Sequence, residues 1–484
     1  MTTAANFPRR LPAHRAGQAQ GRQRGRMAKA AEAVRAWTEP RASSNWLLAV
    51  IIVQFLCQVA LMGSLGSYRA IVRSVAFMAS LLCIFAIPKA GLRHPARSWS
   101  FVSLGLVGVQ MLNPNTAGAL GGLAHWAMYL AVLSPIFWVP RLKIDMDDFK
   151  RIILVFWAFY ALSSAVGVLQ VYFPAQFQVD SHDATQNAMR EGLKITLASG
   201  ERILRPMGLS DTAGGAAMAG FYTCVVGSGL LLGKTRWWGR SIVLTGMTMG
   251  VFSIYLSHVR SLLVMSLICM LASAAALGLR GKPGKFVLFA GMIVAIFGIA
   301  WIFAVDVGGD SVRDRVSTLT ERSAGDVYYA NRGHFLEHTL EDLLPEYPFG
   351  AGLARWGMMG VYFGDFSREA PPIWVEIQWT GWLLDGGIAL LIAYPAALVV
   401  SLWTAFKVAI GRLGGGVSDM WIWGGVMLGY NIGALAVTFN APLFMGTPGL
   451  EFWMLNCMLF VAATRADRAA AEAATAELAP AATT

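Results

Sequence analysis

The chain has 484 residues and a formal net charge of +11, yet 56% of its residues are hydrophobic and only 14% are charged. A soluble domain carries about a quarter charged residues, so composition excludes a set of soluble domains. The excess of positive charge then reads as a membrane-topology signal, not as a nucleic-acid footprint.

The first 41 positions hold nine basic residues among Pro, Gly, Ala and Gln, with no apolar stretch between them. This pattern argues against a cleavable signal peptide, and residues 1–44 are expected to form a disordered cytoplasmic tail. From Trp46 to Thr464 apolar runs recur, each near the roughly 20 residues that a spanning helix needs. The predicted crossings are 46–67, 71–88, 98–113, 118–139, 152–174, 213–232, 241–257, 261–279, 286–305, 379–404, 421–439 and 450–464. The expected fold is all-α, a polytopic transmembrane bundle of about 12 helices over 45–464. An Ala-rich cytoplasmic tail follows over 465–484.

Every second connector is basic: Lys89, Arg93 and Arg97; Arg141, Lys143, Lys150 and Arg151; Lys234, Arg236 and Arg240; Arg280, Lys282 and Lys285; Lys407 and Arg412; Arg465 and Arg468. That alternation assigns these connectors and both termini to the cytoplasm. Two long connectors, about 175–212 and 306–372, then fall outside, where chemistry is expected. All five cysteines (Cys57, Cys83, Cys224, Cys269, Cys457) lie in apolar runs, as small buried hydrophobes do. No internal repeat of the transporter kind is visible.

In the first long loop, Arg202 and Arg205 precede a Gly- and Ala-rich helix. They read either as interfacial anchors or as ligands for an anionic group at a helix start. Arg260, two residues after His258, sits at a tight junction between apolar runs, where a charge is costly unless it is used. In the second loop Arg332 opens an amphipathic helix ending at Pro345. Leu336, Leu340, Leu343 and Leu344 form its expected apolar stripe, and Glu337, His338, Glu341 and Asp342 face elsewhere. Its His334-Phe-Leu-Glu337-His338 matches a short zinc-peptidase pattern without a third ligand, so no metal is expected. Asp145, Asp147 and Asp148 read as an acidic helix start. Glu376 and Asp385 flank the tenth crossing and should face a cavity or a partner. Around them Trp374, Trp379 and Trp382 suit either an interfacial belt or a sugar-stacking wall.

These elements together resemble the O-antigen ligase and Wzy-type polysaccharide polymerase superfamily. Arg205-Pro-Met-Gly, Ser257-His-Val-Arg260-Ser, the block from Asn331-Arg332 to Pro348-Phe-Gly-Ala-Gly352, and Leu383-Leu-Asp385-Gly-Gly387 are similar, in order, to its short motifs. The His-Asn pair common in that family is missing, and Glu376 stands at about its place, which favours the polymerase branch over a ligase.

The resemblance implies a bacterial inner-membrane enzyme with an undecaprenyl-diphosphate-linked glycan as donor and an acceptor glycan, embedded in the lipid bilayer. A chain-length regulator is a further expected partner; no cofactor and no nucleic acid is expected. Arg205, Arg260, Arg332 and Arg202 would hold the diphosphate, with Arg260 acting in catalysis and Glu376 or His338 as base. The rival of another class is a transporter or flippase for a lipid-linked or anionic solute. Such carriers need carboxylates deep in helices; the crossings before 370 contain none, and only His125 lies well inside them.

The alternation generates a direct test. A reporter active only outside the cytoplasm should work when fused near Gly325 and fail near Gly281; the reverse at either position would invert the topology.

Overall fold

The computed structural model describes residues 42–62, 68–178, 194–196, 200, 202–212, 214–233, 236–317, 323–365, 371–415 and 419–478. Most of the expected N-terminal tail lies outside them. In chain order the helices are α1 Asn45–Met62, α2 Arg69–Ala86, α3 Arg97–Val109, α4 Ala119–Leu133, α5 Met146–Tyr172, α6 Gly215–Leu232, α7 Trp237–Leu256, α8 Arg260–Leu279, α9 Pro283–Ser317, α10 (contiguous helical pieces over 324–346), α11 Gly357–Phe363, α12 Gln378–Ala409, α13 Met420–Val437 and α14 Thr447–Leu478. Sheet among the described residues is limited to two short pairs. β1 (Ala42–Ser43) runs parallel to β2 (Leu142–Lys143), and β3 (Lys194–Thr196) forms a hairpin with β4 (Arg202–Leu204).

The chain is a polytopic all-α protein. Among the described residues nine helices, α1, α2, α5 to α9, α12 and α13, are long and apolar enough to cross a membrane. Their outer sides carry large exposed apolar groups such as Phe85, Val294 and Ile302, a surface that lipid covers and water would not. The other three expected crossings are helical but differ from a plain span. α3 has 13 residues, about 20 Å at 1.5 Å per residue, short of the ~30 Å hydrocarbon core. α4 bends by 46° into the segment Pro135–Arg141. α14 is long but carries Glu451 and Asn456 in its apolar half. It tolerates them because residues 449–463 are buried on every side, which makes α14 the central pillar of the bundle.

Contacts sort the connectors into two faces. On one, the Leu92 N–H donates to the Pro140 carbonyl at 2.8 Å, and Arg141 donates to the carbonyls of Ile84 and Ile87. There too Arg280 and Lys282 lie over Trp421, and Asp145 caps α5 by accepting from the Asp147 and Asp148 amides. On the other, loop-rich face, the Ala117 N–H donates to Leu353 and the Gln378 N–H to Thr438. α8 and α13 run antiparallel, with Gly425 beside Ala276 and Gly433 beside Met265 and Cys269. Arg260 therefore shares the loop-rich face with Thr438.

The described residues of 306–372 are largely helical. α9 continues to Ser317 past a break at Gly309, and α10 contains two π-helical stretches, Tyr329–Gly333 and Thr339–Leu343. These wider turns rotate the inward face away from the expected leucine stripe. Leu343 is buried but Leu340 is exposed, and Thr339 takes the inward position instead. Its hydroxyl donates to the Phe335 carbonyl and pairs with Thr380 of α12 at 2.6 Å.

α12 is broken at Gly387 (φ 64°, ψ −159°). In a continuous helix the Ile388 N–H would bond the Leu384 carbonyl. Here the Ile388 N–H donates to the Pro348 carbonyl at 3.0 Å, and the Leu384 carbonyl accepts from the Ala351 N–H at 2.7 Å. The loop Pro348–Gly352 thus repairs both halves of one lost bond. A Cβ at Gly387 would lie 2.3 Å from the Pro348 carbonyl oxygen and 2.6 Å from the Phe349 Cα. Gly387→Ala adds backbone strain of about 1–3 kcal/mol, in a region of positive φ that is essentially glycine's alone, to overpacking of about 1–3 kcal/mol. A clearly lowered unfolding temperature of the detergent-solubilised protein is expected; an unchanged one would mean the loop does not dock on the break.

Candidate functional site

The approach to α12 carries two carboxylates in opposite environments. Asp385, about two turns into the helix and two residues before the break, is 0% exposed. Its Oδ2 accepts from the Tyr129 hydroxyl at 2.8 Å and lies 3.0 Å from His125 Nε2, while Oδ1 accepts from the Trp356 indole N–H at 2.8 Å. The partner expected for Asp385 is therefore this trio, and His125 belongs to it. The cluster ties α4, the loop after Gly352 and α12 into one unit. Its sealed carboxyl is a structural clasp at the base of the site.

Glu376 lies outside that seal, half-buried just before α12. Its carboxylate pairs with Arg332 of α10, and Trp374 donates its indole N–H to Glu376 Oε1 at 2.9 Å. The Arg332 guanidinium also sits 5.9 Å from the centre of the Phe335 ring. Partial burial lowers the Arg332 pKa from its ordinary value. Of the three tryptophans, Trp374 alone is widely exposed, at 76%. Trp382 is core, stacked on Tyr394 at 5.0 Å, and Trp379 packs on Phe439 while bonding Thr438. Of the three residues expected to form a belt or a wall, Trp374 is thus the one that presents its ring at the surface.

His338 lies on the exposed side of α10, where its Nδ1 meets Asp342 Oδ2 at 2.7 Å. His334 Nδ1 faces the Tyr329 carbonyl, and Glu337 accepts from the Tyr329 hydroxyl. The two histidines of the short zinc-like pattern therefore have separate partners. Among the described residues no group of three or more His, Cys, Asp or Glu converges to hold a metal.

A second group forms around the starts of α6 and α8. A Cβ at Gly214, just before α6, would lie 3.7 Å from Arg205 Cδ and 3.6 Å from Val259 Cγ2. Arg205 thus approaches the turn that leads into Arg260, the first residue of α8. Buried His258 makes that turn by adopting φ 54°, the left-handed position that usually falls to glycine after a helix. Arg202 sits on β4, opposite Thr196, and is exposed. The structure therefore unites Arg332 with Glu376 and Arg205 with the Arg260 turn.

Three arginines of this face escape a reading of the sequence. Arg69 and Arg73 of α2 both bind the Asp211 carboxylate, which lies in the loop ahead of α6; Arg73 Nη2 stands 2.9 Å from Oδ2. Two arginines four residues apart at a helix start share one face, and that spacing signals a common counter-charge. Arg355 is buried, donating to the Pro371 and Ala351 carbonyls and so bracing the loop that carries Trp356. No protein-family model matches the chain, and no curated protein does.

Removing one donor from a buried carboxyl costs about 1–3 kcal/mol. Trp356→Phe is therefore expected to lower stability by that amount, while Trp374→Phe, at an exposed position, changes it by less than about 0.5 kcal/mol. Unfolding temperatures of the two purified variants provide the comparison; equal losses would deny Asp385 its clasp role.

Proposed function

We propose that the chain is a bacterial inner-membrane polysaccharide polymerase, for O-antigen or exopolysaccharide. It transfers glycan from an undecaprenyl-diphosphate donor to an acceptor sugar on the periplasmic side. In this reading α3, the bent α4 and α14 join the nine plain spans to make twelve crossings, with both termini in the cytoplasm. The observation that carries the reading is the half-open Arg332–Glu376 pair. It joins an anion-binding guanidinium to a carboxylate base beside an exposed tryptophan, on the face that also bears Arg205 and Arg260.

The pair suggests how donor and base are coupled. In its resting form the carboxylate is held by Arg332. Arrival of the donor diphosphate draws the Arg332 fork to phosphate oxygens, which it fits bidentately. Glu376 then loses its counter-charge and becomes the stronger base. The acceptor hydroxyl oxygen bonds to the anomeric carbon as the carbon–oxygen bond to the diphosphate breaks. The bonding electrons stay on the phosphate oxygen, and the hydroxyl proton passes to Glu376. Arg205 and Arg260 stabilise the charge that develops on the leaving diphosphate. His338 is the less favoured base, since it pairs with Asp342 on the exposed side of α10.

A transporter is the second reading. It draws support from Asp385 and Glu451, two carboxyls sealed among the helices, where coupled carriers keep theirs.

Polymer length on a gel separates the two, in cells lacking the native copy and matched for protein level. Loss of an interaction that strengthens in the transition state costs about 2.7–4 kcal/mol, or 10²–10³-fold in rate. Arg260→Ala should suffer that loss, and Arg260→Lys should remain strongly impaired although it keeps the charge. Glu376→Gln should lose about 10²–10⁴-fold as the missing base. Wild-type chain lengths from Arg260→Ala, Arg332→Ala and Glu376→Gln would remove the reading.

A further inference from the structure

Apart from the Arg332–Glu376 pair, the bundle encloses a polar cluster around Glu451 of α14. The residue is 0% exposed, as is Gln54 of α1. Glu451 Oε1 accepts from the Gln54 side-chain amide and from the Tyr160 hydroxyl of α5. The Tyr160 ring lies 4.6 Å from that of Tyr222 of α6, whose hydroxyl is 3.1 Å from the hydroxyl of Tyr430 on α13. The amide and the three phenols around Glu451 are all neutral and polar. Among the described residues no Lys, Arg or His lies within ion-pair distance of this carboxyl, whereas Asp385, Asp211 and Glu376 each have such a partner.

The second oxygen decides the charge state. Glu451 Oε2 is buried with no hydrogen-bond partner, and so is Gln54 Oε1. A carboxylate in that position would hold its charge in a low-dielectric interior with no cationic partner and one oxygen unbonded, a setting in which such groups neutralise. The cluster also contains more acceptors than donors. One proton on Oε2 removes the charge and supplies a donor at the same time.

We infer that Glu451 is a proton-binding site inside the membrane, and that it carries its proton at neutral pH as a carboxylic acid held by Gln54 and Tyr160. The inference rests on burial and hydrogen bonding and holds whichever reaction the Arg332–Glu376 pair performs. Because α14 is enclosed by its neighbours, the proton exchanges with water only when α14 parts from α1 and α5. Exchange at Glu451 thus reports opening of the bundle.

Infrared difference spectroscopy of the full-length protein in lipid at neutral pH tests this. The wild type should show a carboxylic-acid carbonyl stretch that shifts slowly in heavy water and is the same in sodium and choline chloride. Glu451→Gln, which is neutral and nearly isosteric, should abolish that band. Tyr160→Phe removes one hydrogen bond to the carbonyl and should move the band to higher frequency, so the test survives should the Gln variant misfold. Absence of the band in wild type overturns the inference. A band unchanged in both variants assigns the proton elsewhere and also overturns it. Loss of the band in sodium alone would make the site one for a metal cation and would equally overturn it.

Discussion

Inside a bilayer no water repairs an unpaired backbone group, so every peptide N–H and carbonyl must find a partner within the protein. That constraint organises the loop-rich face. The break at Gly387 releases the Leu384 carbonyl and the Ile388 N–H, and the loop Pro348–Gly352 supplies a partner for each. A broken helix thereby becomes an anchor point. The loop must stay docked for α12 to keep its shape, and Trp356 extends the docking to Asp385 four residues farther along the loop. Glu376 and Thr380 lie just ahead of this anchored stretch, so α10, which contacts both through Arg332 and Thr339, is held against a fixed wall.

Polar groups in the interior follow the same accounting. Asp385 is satisfied on both oxygens by three donors from α4 and the docked loop. Glu451 is satisfied on one. The first arrangement fixes a loop to a helix, and the second leaves a position for a proton. At the membrane boundary the arginines are handled differently: Arg69 and Arg73 share Asp211, and Arg332 takes Glu376, pairs that are partly exposed.

The helical, many-times-spanning character was legible because apolar runs and basic connectors are written directly in one dimension. α3, α4 and α14 were less so. Hydropathy reports neither the bend after Leu133 nor the protein that wraps α14 on all sides and lets it carry Glu451. The stripe Leu336–Leu344 misled for a local reason: its spacing assumes 3.6 residues per turn, and the π-helical turns of α10 bring Thr339 inward in place of Leu340. Among the site residues, Arg332 and Glu376 were individually visible as charges next to apolar segments. Their pairing spans 44 positions, beyond any local pattern. Asp211 carries no local signal, because an acid in a loop is ordinary until two arginines of a distant helix converge on it.

The central position of α14 has a consequence for how the molecule comes to exist. α14 follows every other described helix along the chain, yet it fills the middle of the bundle. During synthesis the earlier helices enter the membrane around an axis that is still vacant, with Gln54 and Tyr160 lacking the Glu451 carboxyl they bond in the finished fold. Lipid cannot hydrogen-bond those groups, so the partly made bundle must either stay loose or cover them with provisional contacts. Final closure then waits on the arrival of the last helix. The core of the fold is thus the part completed last.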